Sequence, residues 1–202
     1  MKRYISILLL ICAVNFQAYS QADSTAFLNR TELKIGYYGN LGSNTGLNMG
    51  AEFSWKEKTR VKQKRKGPKA IRQQLLLNAN LGYSTNISSK TDNGFLTNYG
   101  LIWRRTNAKN RQFFVEINPL GYYRAFLPQT YEVDGNQVTN VGLGARGYYA
   151  PSFGFGFGKL IKKKRHSGAY LKFIWTLRTP YNGGTLPNFS IQYGHRFNFR
   201  KK

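Results

Sequence analysis

Few residues of this chain could do chemistry, and their spacing does not bring them together. There are two histidines and one cysteine in 202 residues. His166 is followed directly by Ser167 in a basic run, and a histidine beside a serine raises the question of a hydrolase. A serine nucleophile needs a positioned base and a third group that orients that base, and no carboxylate lies nearby in sequence. His195 alternates with Tyr193 and Phe197, which suits a ring at an interface better than a base. Glu52 and Glu116 are the only acids that strand alternation turns to the polar face. Two carboxylates within reach could act as acid and base, but the surrounding Lys and Arg favour charge-balancing partners that stay ionised. Gly154, Gly156 and Gly158 follow strand alternation with no helix after them, unlike a phosphate loop. No transition-metal site is credible on this inventory, so neither enzyme activity nor a cofactor is expected.

The elements that must hold these residues are strands. "NFSIQYGHRFNF" puts Ile191, Tyr193, His195, Phe197 and Phe199 on one face and Ser190, Gln192, Gly194, Arg196 and Asn198 on the other. The same period of two recurs in "ELKIGYYG", "GLNMGAEFSWK", "IRQQLLLNANLGYS", "GFLTNYGLIWRR", "RQFFVEINPLGYYRAF" and "GAYLKFIWTLRT". "VTNVGLGARGYYAPSFGFGFGK" keeps one phase through Pro151 and is taken as a single kinked strand, because proline cannot donate to a ladder and belongs at a bend. That makes eight strands, most of them as long as a tilted membrane strand requires. An all-β, eight-stranded antiparallel up-and-down transmembrane β-barrel is therefore expected.

The polar face decides between a soluble sheet and a membrane one. Lys34, Glu52, Arg104, Glu116, Arg124, Arg146, Lys172, Arg178 and Arg196 all take the inner parity. Unpaired charges in a sandwich core would be costly, whereas inside a small barrel they can interlock as a polar network that fills the interior. Tyr38, Tyr122 and Tyr148 are expected to plug the same space, which argues against a diffusion pore and leaves at most a narrow anion path. The opposite face, with Tyr37, Trp55, Tyr83, Trp103, Tyr123, Trp175, Phe197 and Phe199, is expected to meet lipid, several of these rings at interface depth.

Residues 1–20 have the layout of a secretory signal peptide: Lys2 and Arg3, an apolar run, then Ala18 and Ser20 before Gln21. The run is too short to span a bilayer, and Cys12 falls inside it, so the mature chain has no thiol. Residues 21–30 would be a short N-terminal segment and 31–202 the barrel. The net charge of +23 superficially suggests nucleic acid, but a secreted, Tyr- and Phe-rich chain is not expected to meet it. The charge is segregated by loop. Connections two, four and six and the C-terminus are basic, including Lys62, Lys64, Arg65, Lys66, Lys162, Lys163, Lys164 and Arg165, while the odd connections are neutral or slightly acidic. With both termini in the periplasm this basic rim faces the periplasm, where it could touch inner-leaflet phosphates or an acidic partner, or simply be solvated. The second connection, at about fourteen residues, is long for a periplasmic turn, so the reverse orientation stays open.

The Tyr/Gly-rich alternating strands, "FFVEINPLGYYRAFLPQTYEVDG", "YYAPSFGFGFGK", the leader ending "YSQ" and the terminal "GHRFNF" together resemble the small outer-membrane β-barrel proteins of Gram-negative bacteria, most nearly uncharacterised envelope barrels of the Bacteroidota type. The resemblance implies an outer-membrane location, contact with outer-membrane lipids and insertion by the barrel-assembly machinery, which reads a terminal aromatic residue. Phe199 matches that residue, although Arg200, Lys201 and Lys202 follow it. The resemblance implies a structural or binding role, such as an accessory subunit with an envelope protein partner. The alternative within the class is a lipid-modifying enzyme of the deacylase or phospholipase type.

Overall fold

The computed structural model describes residues 24–40, 44–64, 67–86, 93–126, 131–140, 144–161 and 167–198. A seven-residue helix, α1 (Ser24–Arg30), leads into β1 (Thr31–Asn40), β2 (Asn44–Lys64), β3 (Gly67–Asn86), β4 (Asn93–Thr106) and β5 (Arg111–Phe126). These are followed by β6 (Tyr131–Asp134), β7 (Gln137–Asn140), β8 (Ala145–Tyr149), β9 (Ser152–Leu160), β10 (Ser167–Tyr181) and β11 (Gly184–Asn198). Turn chemistry sets several of the reversals. Asn182 and Gly183 take positive φ between β10 and β11, and Gly135 does so between β6 and β7, as tight hairpins of right-twisted strands demand. Between β4 and β5, Asn107 Oδ1 accepts from the N–H groups of Lys109 and Arg111 at 3.0 and 2.9 Å.

Antiparallel pairing runs from β11 through β1, β2, β3 and β4 to β5; β5 pairs with both β8 and β9, and β10 pairs with β9, β8 and β11. The pairings return on themselves, but the ring is not evenly closed. β2 and β3 stay in register from Asn44 opposite Asn86 to Lys64 opposite Gly67, whereas β8 meets β10 at one pair, Thr179 with Tyr149. The described residues hold eleven strands, nine in this sheet and β6–β7 apart in a sheet of their own. The architecture is thus a mostly-β fold built on a nine-stranded sheet, and the eight-stranded up-and-down barrel expected from periodicity is corrected. The prolines supply the physical reason. Pro151 has no N–H to give, so the expected seventh wall is cut into β8 and β9. The cut stays anchored by Ala150 N to Gly121 O at 2.8 Å and Leu177 N to Pro151 O at 3.0 Å. Residues 138–140, expected at the start of that strand, belong instead to the small hairpin.

Two bulges change which residues face which way. Opposite Tyr99 stands Leu120, but opposite Leu101 stands Ile117, so β5 carries one extra residue around Pro119. A second bulge lies between Ser54 and Lys56 in β2. An extra residue slips the alternation by one, and every side chain beyond it changes face.

The burial pattern is inverted relative to a water-soluble sheet. Lys34, Glu52, Arg104, Glu116, Lys172, Arg178 and Arg196 are buried, while Leu47, Met49, Ile117 and Trp175 are each more than half exposed. Apolar side chains are also enclosed, in two small clusters. One holds Leu76, Ile102, Phe114 and Tyr170; the other holds Leu96, Tyr123, Ala125, Tyr148 and Ala150.

Candidate functional site

The buried charges converge because inward positions on opposite walls reach each other across a narrow interior. Glu52 of β2 is the hub: it takes Lys34 Nζ of β1 at 3.0 Å and Arg196 Nε of β11 at 3.2 Å, and it pairs with Arg104 of β4. Arg104 Nη1 also reaches Glu32 at 2.5 Å. A second centre forms on Glu116 of β5, which accepts Lys172 Nζ at 2.9 Å, Asn78 Nδ2 at 2.9 Å and Asn118 Nδ2 at 2.7 Å. Lys34 Nζ bridges the two centres, since it also donates to Asn78 Oδ1 at 2.7 Å. Buried ions cost several kcal/mol each in lost hydration unless partnered, and removing one member strands the others. The network therefore holds the walls in one mutual arrangement.

Aromatic rings cover the remaining cation faces. The Arg196 guanidinium carbon lies 4.4 Å from the ring centres of both Phe114 and Tyr170, and that of Arg178 lies 3.8 Å from the Tyr123 ring. Such contacts add attraction where water is excluded. Tyr170 OH accepts from Gln192 Nε2 at 2.8 Å. Gly156 faces this cluster, and a Cβ there would stand 2.4 Å from Phe114 Cζ. This glycine makes room for the ring.

Of the residues expected to face inward, Lys34, Glu52, Arg104, Glu116, Lys172, Arg178 and Arg196 are buried, as are Tyr38 and Tyr148. Arg124 is corrected, since it is turned to the outer face; Arg146 keeps the inner parity but is exposed. The extra residue at Pro119 turns Arg124 out of β5, opposite exposed Phe95, whereas Arg146 stands opposite buried Ala125 and on the face of buried Tyr148, near the start of β8. The same slip exchanges the neighbouring tyrosines, so that Tyr123 is 1% exposed and Tyr122 49%. Tyr123, expected outside, is an interior residue, and Tyr122, expected inside, is not. Tyr37, Trp55, Tyr83, Trp103, Trp175 and Phe197 lie on the exposed face; Phe199 is outside the described residues. His195 lies beside Tyr193, edge to face with ring centres 5.9 Å apart, and beside Phe197, tilted at 6.4 Å. Glu32 was missed in the sequence, although it shares the parity of Lys34 and so carried the signal that would have found it.

The basic connections are placed in part. Lys62 is exposed on β2, and the backbone of Lys64 closes the paired stretch opposite Gly67. Arg65, Lys66, Lys162, Lys163, Lys164 and Arg165 lie outside the described residues, as does His166. The second connection is not a long loop but a continuation of two paired strands, which accounts for its length. Among the described residues no group of three His, Cys, Asp or Glu side chains could hold a metal, and none of the helices is long and apolar enough to cross a membrane.

No protein-family model matches the chain, and no curated protein matches it. Among solved structures it is similar to the crystal structure of Ail, the attachment invasion locus protein of Yersinia pestis, in complex with the heparin analogue sucrose octasulfate. The identity is 11%, the match covers 83% of this chain and 97% of that one, and the TM-score is 0.37. A likeness at that level carries no statement about the role of this chain.

Proposed function

We propose that this is a non-enzymatic protein of the outer membrane of a Gram-negative bacterium, a structural or binding component of the envelope whose interior is filled by side chains. The inverted burial carries the proposal. A soluble monomer rarely exposes a contiguous apolar patch beyond a few hundred Å², yet every long strand here turns Leu, Ile, Phe, Tyr or Trp side chains outward. The buried face meanwhile holds paired ions. A bilayer reverses the usual preference for the outer surface, and it tolerates strands only where their backbone groups are paired. Each wall strand has partners on both sides, which fits that demand. The direct partners are then outer-membrane lipids, with the assembly machinery on the way in and an envelope protein as the candidate client.

Electrophoresis of detergent-folded protein with and without boiling tests this. The expected result is a faster unboiled band, with β-sheet circular dichroism that needs detergent. A protein that stays monomeric and folded in plain buffer, with no shift in mobility, overturns the proposal.

A further inference from the structure

Beyond the wall, β2 and β3 continue as a two-stranded arm. Pairing of β1 with β2 stops at Phe53, and pairing of β4 with β3 stops at Arg72. The last five pairs, from Arg60 opposite Ile71 to Lys64 opposite Gly67, have no third strand beside them and extend roughly 15 Å. The charges on this arm are sorted by face. Lys56, Lys58, Arg60 and Lys62 occupy alternate positions and are all exposed, so they stand in a row roughly 7 Å apart. Their partners Leu75, Gln73, Ile71 and Lys69 share that face. The other face carries Glu57, Thr59, Val61 and Gln63. Glu57 is the only carboxylate on the arm; it pairs with Arg72 Nη2 at 2.6 Å and accepts Gln74 Nε2 at 3.3 Å.

The bulge at Trp55 determines where the cations point. Before it, the outward residues of β2 are Leu47, Met49 and Trp55; after it, Lys56 pairs with outward Leu75. The cation row is therefore the continuation of the apolar outer face. Without the extra residue, Glu57, Thr59 and Val61 would have been there. At the junction an open groove of about 550 Å³ is lined by Lys56, Lys58, Gln73, Gln74, Leu75 and Trp103, and by Glu57, whose charge is held by Arg72. Lys56 Nζ stands 5.2 Å from the centre of the Trp55 ring, and exposed Arg105 lies opposite Gln73 on the next strand. Cationic above and apolar below, the groove complements an anionic amphiphile.

We propose that this face of the β2–β3 arm is a docking surface for the phosphate headgroups of anionic lipids in the adjoining leaflet. Leu75 and Trp103 meet the acyl region, and Lys56, Lys58, Arg60 and Lys62 meet the phosphates. The proposal rests on the membrane location proposed above. Lys and Arg beside an anionic surface each add attraction, and tryptophan prefers interface depth.

The test uses the full chain folded in a neutral detergent, with phosphatidylglycerol or phosphatidylcholine added and the phospholipid retained after gel filtration counted. Phosphatidylglycerol is expected to be retained over phosphatidylcholine, and K58Q/R60Q/K62Q is expected to weaken that retention by about tenfold or more. R124Q/R146Q, which removes exposed cations at the opposite end of the wall, should change it little. Equal loss in both variants would mean that net charge alone attracts the lipid, and unchanged retention in K58Q/R60Q/K62Q would leave the arm without a role; either overturns the proposal. So does full competition by millimolar inorganic phosphate, which would make the surface a site for free phosphate. The boiled and unboiled mobility of the same samples keeps the two proposals apart: a normal shift with no lipid preference removes this one alone.

Discussion

At the scale of single residues, stability should be concentrated in a few interior groups. Glu52 receives three cations, and E52Q leaves them competing for an amide that cannot compensate their charge. A loss of about 3–5 kcal/mol is expected, read as a lower urea midpoint for the mobility shift. E57Q removes a carboxylate whose ion pair is one-third exposed and should cost about 1 kcal/mol or less. Equal effects from the two substitutions would deny the interior network its structural role. Arg196 tests the chemistry of the cation itself. R196K keeps the charge but loses the planar group that lies over both Phe114 and Tyr170, at an expected cost of about 1–2 kcal/mol in the same measurement.

At the scale of elements, the bulges matter more than the strands. The extra residue at Pro119 makes Tyr123 an interior side chain and Tyr122 an exterior one. Y123A should then cost about 3–5 kcal/mol, and Y122A about 1 kcal/mol or less. A Cys at position 124 should react with a water-soluble maleimide in the folded protein, while one at buried position 34 should not; the reverse labelling would mean that β5 is not re-phased. The β6–β7 hairpin is a different case. Its described side chains are exposed, Val133 by 67% and Val138 by 64%, and it forms a sheet of its own. Replacing residues 131–140 with a short Gly/Ser link should leave the mobility shift and its urea midpoint nearly unchanged, within about 0.5 kcal/mol.

At the scale of the whole molecule, opposite tendencies are sorted in space. The chain carries a net charge of +23, yet each interior carboxylate is paired with cations, the outer face is apolar, and the exposed cations Lys56, Lys58, Arg60 and Lys62 stand together on one arm. Such sorting has meaning only if the chain reaches the envelope. Mass spectrometry of protein isolated from membranes is expected to find a chain beginning at Gln21, and an intact leader would remove the proposed signal peptide.

Much of the arrangement was legible in the sequence, for a physical reason. In a strand the side-chain period is two whatever the strand packs against, so the alternation in β1, β3, β4, β10 and β11 already separates Lys34, Arg104, Lys172 and Arg196 from Tyr37, Tyr83, Trp103 and Trp175. The composition of the two faces, polar and apolar, follows from the same pattern. Tertiary structure decided where that pattern slips. An inserted residue leaves no mark on composition and little on periodicity; it becomes visible only when the neighbouring strand fixes which residues stand opposite, as Tyr99 and Leu101 do for Pro119 and Leu76 and Leu75 do for Trp55. Those two slips exposed Arg124, enclosed Tyr123 and turned the cations of the β2–β3 arm outward. Closure was beyond the sequence for the same reason. Whether the walls meet evenly depends on registers summed around the whole sheet, and the interruption at Pro151 changes that sum without disturbing the alternation on either side of it.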